Sequence, residues 1–233
     1  MKTISIWTRL LDLLAPRACP ICGNRLAVTE QALCARCNLH LPRTGFSKHA
    51  RDNEMAQAFW VLMPIERAAA MFFYEPDSNV SRLVHALKYF QHPELGELLG
   101  RQAAQEFRPD GFFEGIDAIV PVPLHPKRQR QRGYNQSMEI ARGVSAATGL
   151  PVMAGAVKRI SFRRSQTQKT GLERQENVEN AFALADAADL QGKHLLVVDD
   201  VVTTGATVRS CCQELTKGGC AKVSVLSLGF TKS

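Results

Sequence analysis

Apolar residues along this chain gather into short, nearly continuous runs, separated by stretches with the spacing of amphipathic helices. "AMFFY" near 70–74 reads as a strand, with a helix from about Val80 after it and a second helical run over Glu94 to Phe107. "DAIVPVP" is a buried strand that ends in prolines, followed by a helix from about Gln136 to Thr148. A short "LPVM" strand, a basic loop and a capped segment around "NVENAF" come next. "KHLLVVDD" is the most strongly hydrophobic strand, with a helix from about Thr207 to Lys217 behind it, and "KVSVLSLGF" is a last strand. Strands alternating with helices predict an α/β fold, a mostly parallel sheet with flanking helices on both faces. In such sheets ligands sit at the carboxyl ends of the strands. The Pro-Val-Pro-Leu and Asp-Asp ends are therefore the places to look.

The front of the chain follows a different pattern. "MKTISIWTRLLDLLAP" places Ile4, Trp7, Leu11 and Leu14 at helical spacing, and Arg9 and Asp12 break the apolar run that a signal peptide needs. It reads as an amphipathic helix packed on the body. No stretch approaches a membrane-spanning length, so the seven cysteines are expected in a reducing cytoplasm. Cys19, Cys22, Cys34 and Cys37 form two Cys-x-x-Cys knuckles with eleven residues between them. Each pair can turn both thiolates toward one point, and four thiolates complete a tetrahedral, structural Zn²⁺ site. Two disulfides or a redox pair are the alternatives. Cys211, Cys212 and Cys220 fall outside the pattern and read as small core residues. Residues 43–57 are polar and turn-rich. The expected division is 1–42 for a helix and zinc ribbon, 43–58 for a linker, and 59–233 for the α/β domain.

Charge sharpens this picture by its location. The chain carries a net +7, and residues 125–175 hold eleven Lys/Arg against two Glu, so the rest is close to neutral. A local excess of this kind suggests a polyanionic partner, nucleic acid or a phosphorylated small ligand.

"VVDDVVTTGAT" (197–207) carries the most specific chemistry. A receiver domain also ends its first strand in acids, but only 33 residues follow Asp200, too few for the rest of that fold. A Walker B strand is excluded because no G-x-x-x-x-G-K-[ST] accompanies it. In a sugar-phosphate site every residue has work. Thr203, Thr204, Gly205, Ala206 and Thr207 form a loop opening a helix, so N–H groups and hydroxyls converge on a phosphate at the helix's positive end. Gly205 lets the backbone approach the anion. Asp199 and Asp200 can accept hydrogen bonds from two vicinal hydroxyls of a ribose. Adjacent buried carboxylates repel and are costly to desolvate without such a purpose.

This stretch closely resembles the phosphoribosyl pyrophosphate (PRPP) motif of type I phosphoribosyltransferases. "RLVHALKY" (82–89), "VPVPLHPKRQRQRGYNQS" (120–137) and "ENVENAF" (176–182) resemble hallmarks of the competence protein F (ComF) family, which pairs an N-terminal zinc ribbon with a phosphoribosyltransferase-like domain. The resemblance implies that Asp199 and Asp200 hold the ribose 2′ and 3′ hydroxyls while Thr203 to Thr207 hold the 5′-phosphate. It implies that the turn after Pro123 and Leu124 is the pyrophosphate loop, with Lys127, Arg128, Arg130 and Arg132 as its cations. It also implies that Arg163 to Gln175 form a mobile hood, and that Mg²⁺ bridges pyrophosphate and ribose hydroxyls while Asp199, Asp200 and Arg132 act in catalysis. No base-recognition signature for an acceptor is present.

Two function classes follow. The first is a Mg²⁺-dependent phosphoribosyltransferase acting in natural competence (DNA uptake and transformation). The second is a non-catalytic module on the same fold that holds single-stranded DNA or competence proteins, such as the helicase and the recombination mediator. Aromatic stacking platforms in the basic block are scarce, with only Tyr134 and Phe162 inside it.

Overall fold

The computed structural model describes residues 17–60, 63–89, 92–160, 181–185 and 189–232. The expected N-terminal helix, the expected hood and most of "NVENAF" lie outside the described residues. In chain order the elements are α1 (Ala35–His40), a 3₁₀ turn (Phe46–His49), α2 (Glu54–Trp60), β1 (Arg67–Phe73), α3 (Asn79–Tyr89) and α4 (Pro93–Phe107). They continue with β2 (Ala118–Pro121), α5 (Pro126–Arg132), α6 (Gln136–Thr148), β3 (Val157–Arg159), β4 (Phe182–Leu184), β5 (His194–Val202), α7 (Ala206–Lys217) and β6 (Lys222–Phe230).

Four strands form one parallel sheet in the order β1-β6-β5-β2. β5 and β6 are its centre, and their near-continuous runs of buried Leu, Val and Ser reflect cover on both faces. β3 and β4 pair antiparallel in a separate small ribbon. Pro121 of β2 lies in register with Val198 of β5, and Val122 N–H donates to Val198 C=O at 2.9 Å. The Pro-Val-Pro-Leu segment and the Asp199–Asp200 pair therefore leave the sheet side by side at its carboxyl edge.

Three expectations need correction. "LPVM" forms only one parallel bridge, Val152 to Ile119, because Pro151 lacks the N–H that a ladder needs. Residues 43–58 are not a loose linker. Arg43 bridges Phe72 on the outer edge of β1, and Phe46, Met55, Ala56 and Phe59 are buried. Asn53 caps α2 through Oδ1, which accepts from the N–H groups of Met55 and Ala56 at 3.0 Å, while its Nδ2 reaches Ala68 C=O at 2.8 Å. The polar surface of this segment masks a buried face, and the boundary between 58 and 59 falls inside α2. The turn after Pro123, finally, opens into α5. His125 caps it, Pro126 presets its first residue and Gly133 ends it at φ +82°.

Helices α4 and α6 pack so closely that their glycines have no room for a side chain. A Cβ on Gly100 would lie 2.1 Å from the carbonyl oxygen of Ile140, and one on Gly143 would lie 2.0 Å from that of Glu97. This contact fixes α6, whose first turn faces the carboxyl edge of the sheet. Gly100→Ala is expected to lower Tm by about 5–10 °C, since overpacking against backbone costs roughly 1–3 kcal/mol. Gly155→Ala, where a Cβ meets nothing within 4 Å, is expected to melt within about 2 °C of the wild type. Thermal unfolding of the two variants checks the pair of outcomes.

Candidate functional site

A cleft of about 290 Å³ opens at the carboxyl edge, bounded by the ends of β2 and β5 and by α5, α6 and α3. It brings together Pro123, Leu124, Arg128, Arg132, Asp199, Asp200 and Thr207 of the expected site residues. Lys127 and Arg130 do not line it. Both are exposed, because the helical spacing of α5 puts positions 128 and 132 on one face and 127 and 130 on others. The cleft also holds side chains that motif reading did not single out, among them Lys88, Gln136, Ser137 and Arg159. Lys88, Gln136 and Ser137 fall inside the stretches 82–89 and 120–137, but nothing in their local pattern marks them as cleft residues.

The two aspartates sit in different settings. Asp199 is 9% exposed, and its Oδ1 accepts from Ser137 Oγ and from Asp200 N–H, each at 2.9 Å. Asp200 is less enclosed; its Oδ2 pairs with Lys88 Nζ at 2.9 Å, and its Oδ1 accepts from Val201 N–H at 2.7 Å. Burial pushes the Asp199 carboxyl up to about 7, and the Asp200 charge adds to that push. The Asp200 N–H, the Ser137 hydroxyl and the Lys88 ammonium oppose it without cancelling it.

Beyond β5, residues 203–205 form the short loop and α7 begins at Ala206. Gly205 sits at the N-cap with φ +70°, and a Cβ there would lie 2.9 Å from the Phe59 ring. Only glycine satisfies both the left-handed backbone and that contact. Among the described residues no side chain caps this helix start, and Thr203 and Thr204 are exposed beside it. The first turn of α7 thus brings its positive end and Thr207 to the cleft, while Thr203, Thr204, Gly205 and Ala206 do not line it.

A second site lies in the N-terminal module. The Sγ atoms of Cys19, Cys22, Cys34 and Cys37 all lie within 4.8 Å of one another. Cys22 Sγ and Cys34 Sγ are 3.7 Å apart, close to the edge of about 3.8 Å for a tetrahedron with Zn–S bonds of about 2.3 Å. Gly23 turns the first knuckle at φ +73°. Cys34 caps α1, its Sγ accepting from Cys37 N–H at 3.4 Å. Glu30 ties the arms together by accepting from Ala27 N–H and Ala35 N–H at 2.7 and 2.6 Å. The donor set fits a metal such as zinc, and the module fits a small zinc ribbon.

With this geometry in hand, likeness to known proteins is decisive. A phosphoribosyl transferase domain model matches residues 85–228, more than half of the chain. The chain belongs to the phosphoribosyl transferase domain family. Within it, this family member is 30% identical over 226 residues to DNA utilization protein YhgH of Salmonella typhi, covering 93% of this chain and 98% of that one. It is 26% identical over 225 residues to Competence protein F of Haemophilus influenzae, covering 90% and 95%. Among solved structures, the glutamine PRPP amidotransferase of B. subtilis overlaps with TM-score 0.40 and 22% identity, over 62% of this chain and 30% of that one. The chain thus spans under a third of that structure. The N-terminal four-cysteine cluster, which fits a small zinc ribbon, precedes the matched domain.

The site geometry of this phosphoribosyl transferase domain predicts two outcomes. A carboxyl raised to about 7 from an ordinary 3.8 binds its proton more tightly when folded. The stability it contributes is fully present below about pH 4 and is lost as pH rises through about 7. Asp199→Asn is therefore expected to melt about 5 °C or more above the wild type at pH 8, by a clearly smaller margin at pH 5, and alongside it only near pH 4. Equal differences at all three pH values would contradict this environment for the carboxyl. For the ribbon, metal analysis is expected to give about one zinc per chain and none after Cys22→Ser/Cys34→Ser.

Proposed function

We propose that the cleft binds PRPP together with Mg²⁺, and that the protein transfers its phosphoribosyl group, with loss of pyrophosphate, to an acceptor in the uptake or use of DNA. One observation carries this reading. The paired carboxylates of Asp199 and Asp200 face Arg128 and Arg132 across one cleft, beside the open start of α7. A ribose with an anionic group at each end matches that sequence of acid, base and helix terminus.

In this reading Asp199 and Asp200 accept hydrogen bonds from the ribose 2′ and 3′ hydroxyls, and Lys88 moves from Asp200 toward the incoming anion. Thr203, Thr204, Gly205, Ala206 and Thr207 cradle the 5′-phosphate. Pro123 and Leu124 shape the wall of the diphosphate pocket, with Arg128 and Arg132 supplying its cations. Lys127 and Arg130 lie outside the pocket and serve approach rather than grip. Mg²⁺ would be held by ligand oxygens beside the two carboxylates, a hard oxygen set that suits it, and would neutralise charge on the departing pyrophosphate. As the bond from C1 to pyrophosphate breaks, the carboxylates favour the cationic sugar and the arginines favour the anion that leaves with the electron pair.

The names of the relatives, DNA utilization protein and Competence protein F, support a role in DNA handling. A second reading takes them further: the exposed Lys127 and Arg130 continue the basic face beyond the cleft, which suits single-stranded DNA or a competence protein such as the helicase or the recombination mediator. Zinc in the ribbon is structural in either reading, since four cysteines fill its coordination.

Calorimetric titration with PRPP and Mg²⁺ tests the first reading. Wild type is expected to bind, and Asp199→Asn/Asp200→Asn to lose at least about tenfold in affinity; no binding by the wild type would overturn it. A gel shift with single-stranded oligonucleotides tests the second. Removing Lys127 and Arg130 is expected to lower the salt dependence by roughly one unit of slope per lost phosphate contact. An unchanged slope would exclude that face.

A further inference from the structure

Gln136, the first residue of α6, is 2% exposed and lines the cleft. Its Oε1 accepts from Arg132 Nη1 at 2.8 Å. A guanidinium only donates, so this bond fixes which end of the amide is oxygen and turns Nε2 the other way. Nε2 is buried, and among the described residues it has no hydrogen-bond partner. Buried donors left unmatched are rare in folded proteins, and each calls for an explanation. Among the described residues no acceptor meets this donor, and Gln136 itself lines a ligand-sized cleft.

The surroundings define that acceptor. Asn135 caps α6, its side chain accepting from Ser137 N–H at 3.2 Å, while Asn135 Nδ2 ties the turn to Val122 C=O at 3.0 Å. The positive end of a 13-residue helix therefore meets the cleft beside Gln136. Arg132 stands on one side and Arg128 lines the same space. Oδ1 of the neighbouring Asp199 is already engaged by Ser137 Oγ and Asp200 N–H, and Gln136 Nε2 makes no bond to that carboxylate. What fits is an unprotonated, negatively charged oxygen arriving with the ligand.

We propose that Gln136 and the first turn of α6 form an oxyanion subsite, in which Nε2 donates to an oxygen of the ligand's diphosphate while Oε1 holds Arg132 in position. The proposal rests on the ribose-diphosphate reading of the cleft, and goes beyond it by assigning a neutral donor to the seam between the arginines and the ribose carboxylates. Gln136 is the residue through which the diphosphate pocket and the diol pocket share one helix. Ser137, the next residue along α6, is already bonded to Asp199.

The test uses the full chain and two simple probes, inorganic pyrophosphate with Mg²⁺ and ribose 5-phosphate. Gln136→Glu keeps the size and the bond to Arg132 and deletes the donor. Gln136→Met deletes donor and acceptor without adding charge. Pyrophosphate affinity is expected to fall about 10–100-fold in both variants, the effect of losing a hydrogen bond to a charged group. Ribose 5-phosphate affinity is expected to stay within about threefold. A merely structural role would weaken both probes together, and that result overturns the subsite. Unchanged pyrophosphate affinity in either variant, with unchanged Tm, also overturns it. Failure of the wild type to bind either probe overturns the underlying reading of the cleft instead. Should both variants unfold, wild-type protein carrying ¹⁵N-glutamine keeps the question open to measurement. Pyrophosphate is then expected to shift one slowly exchanging side-chain amide pair, and no such shift contradicts the proposal.

Discussion

The carboxyl end of β5 carries the constraint around which the rest of the molecule is arranged: two neighbouring carboxylates held at the inner edge of the core. Asp199 is withdrawn from water and kept in place by Ser137 and by the N–H of Asp200, and Asp200 is balanced by Lys88. Burial of this kind opposes ionisation and lowers stability at neutral pH. A chain selected for stability alone would replace both residues with apolar ones. Their retention beside arginines and an open helix start is intelligible when a polyhydroxylated anion completes the set.

The supports of this arrangement come from distant parts of the chain. β2 and β5 leave the sheet in register, so the proline-rich turn and the acid pair emerge together. The glycine contact between α4 and α6 brings Gln136 and Ser137 to the same edge. Phe59, from the segment ahead of β1, closes on Gly205 and shapes the loop at the start of α7. Lys88 arrives from the last turn of α3. The site is thus built where strands end and helices begin, and its rigidity derives from the sheet and from close helix packing rather than from the loops themselves.

Much of this was legible in the residues. The alternation of apolar runs with helical spacing predicts the parallel sheet, and the doubled aspartate at the end of its most hydrophobic strand points to the strand end where the cleft opens. The paired Cys-x-x-Cys knuckles likewise foretell the cluster of four thiols. What stayed hidden depends on contacts that no local pattern encodes. Residues 43–58 look like a linker because their exposed positions are polar, while their buried face, Phe46, Met55 and Ala56, follows no single period. Lys127 and Arg130 look equivalent to Arg128 and Arg132 until α5 forms and turns them away. Lys88, Gln136 and Ser137 acquire meaning only through tertiary neighbours.

The central claim is that the β5 carboxylates grip the two adjacent hydroxyls of a ribose whose phosphate rests on α7. The most direct measurement compares the affinity of ribose 5-phosphate with that of 2-deoxyribose 5-phosphate, in the wild type and in Asp199→Asn/Asp200→Asn. The account predicts that the wild type favours the ribose form about tenfold or more, as expected when a buried charged acceptor loses its donor, and that the double variant loses this preference. Equal affinity of the wild type for the two sugars would contradict it.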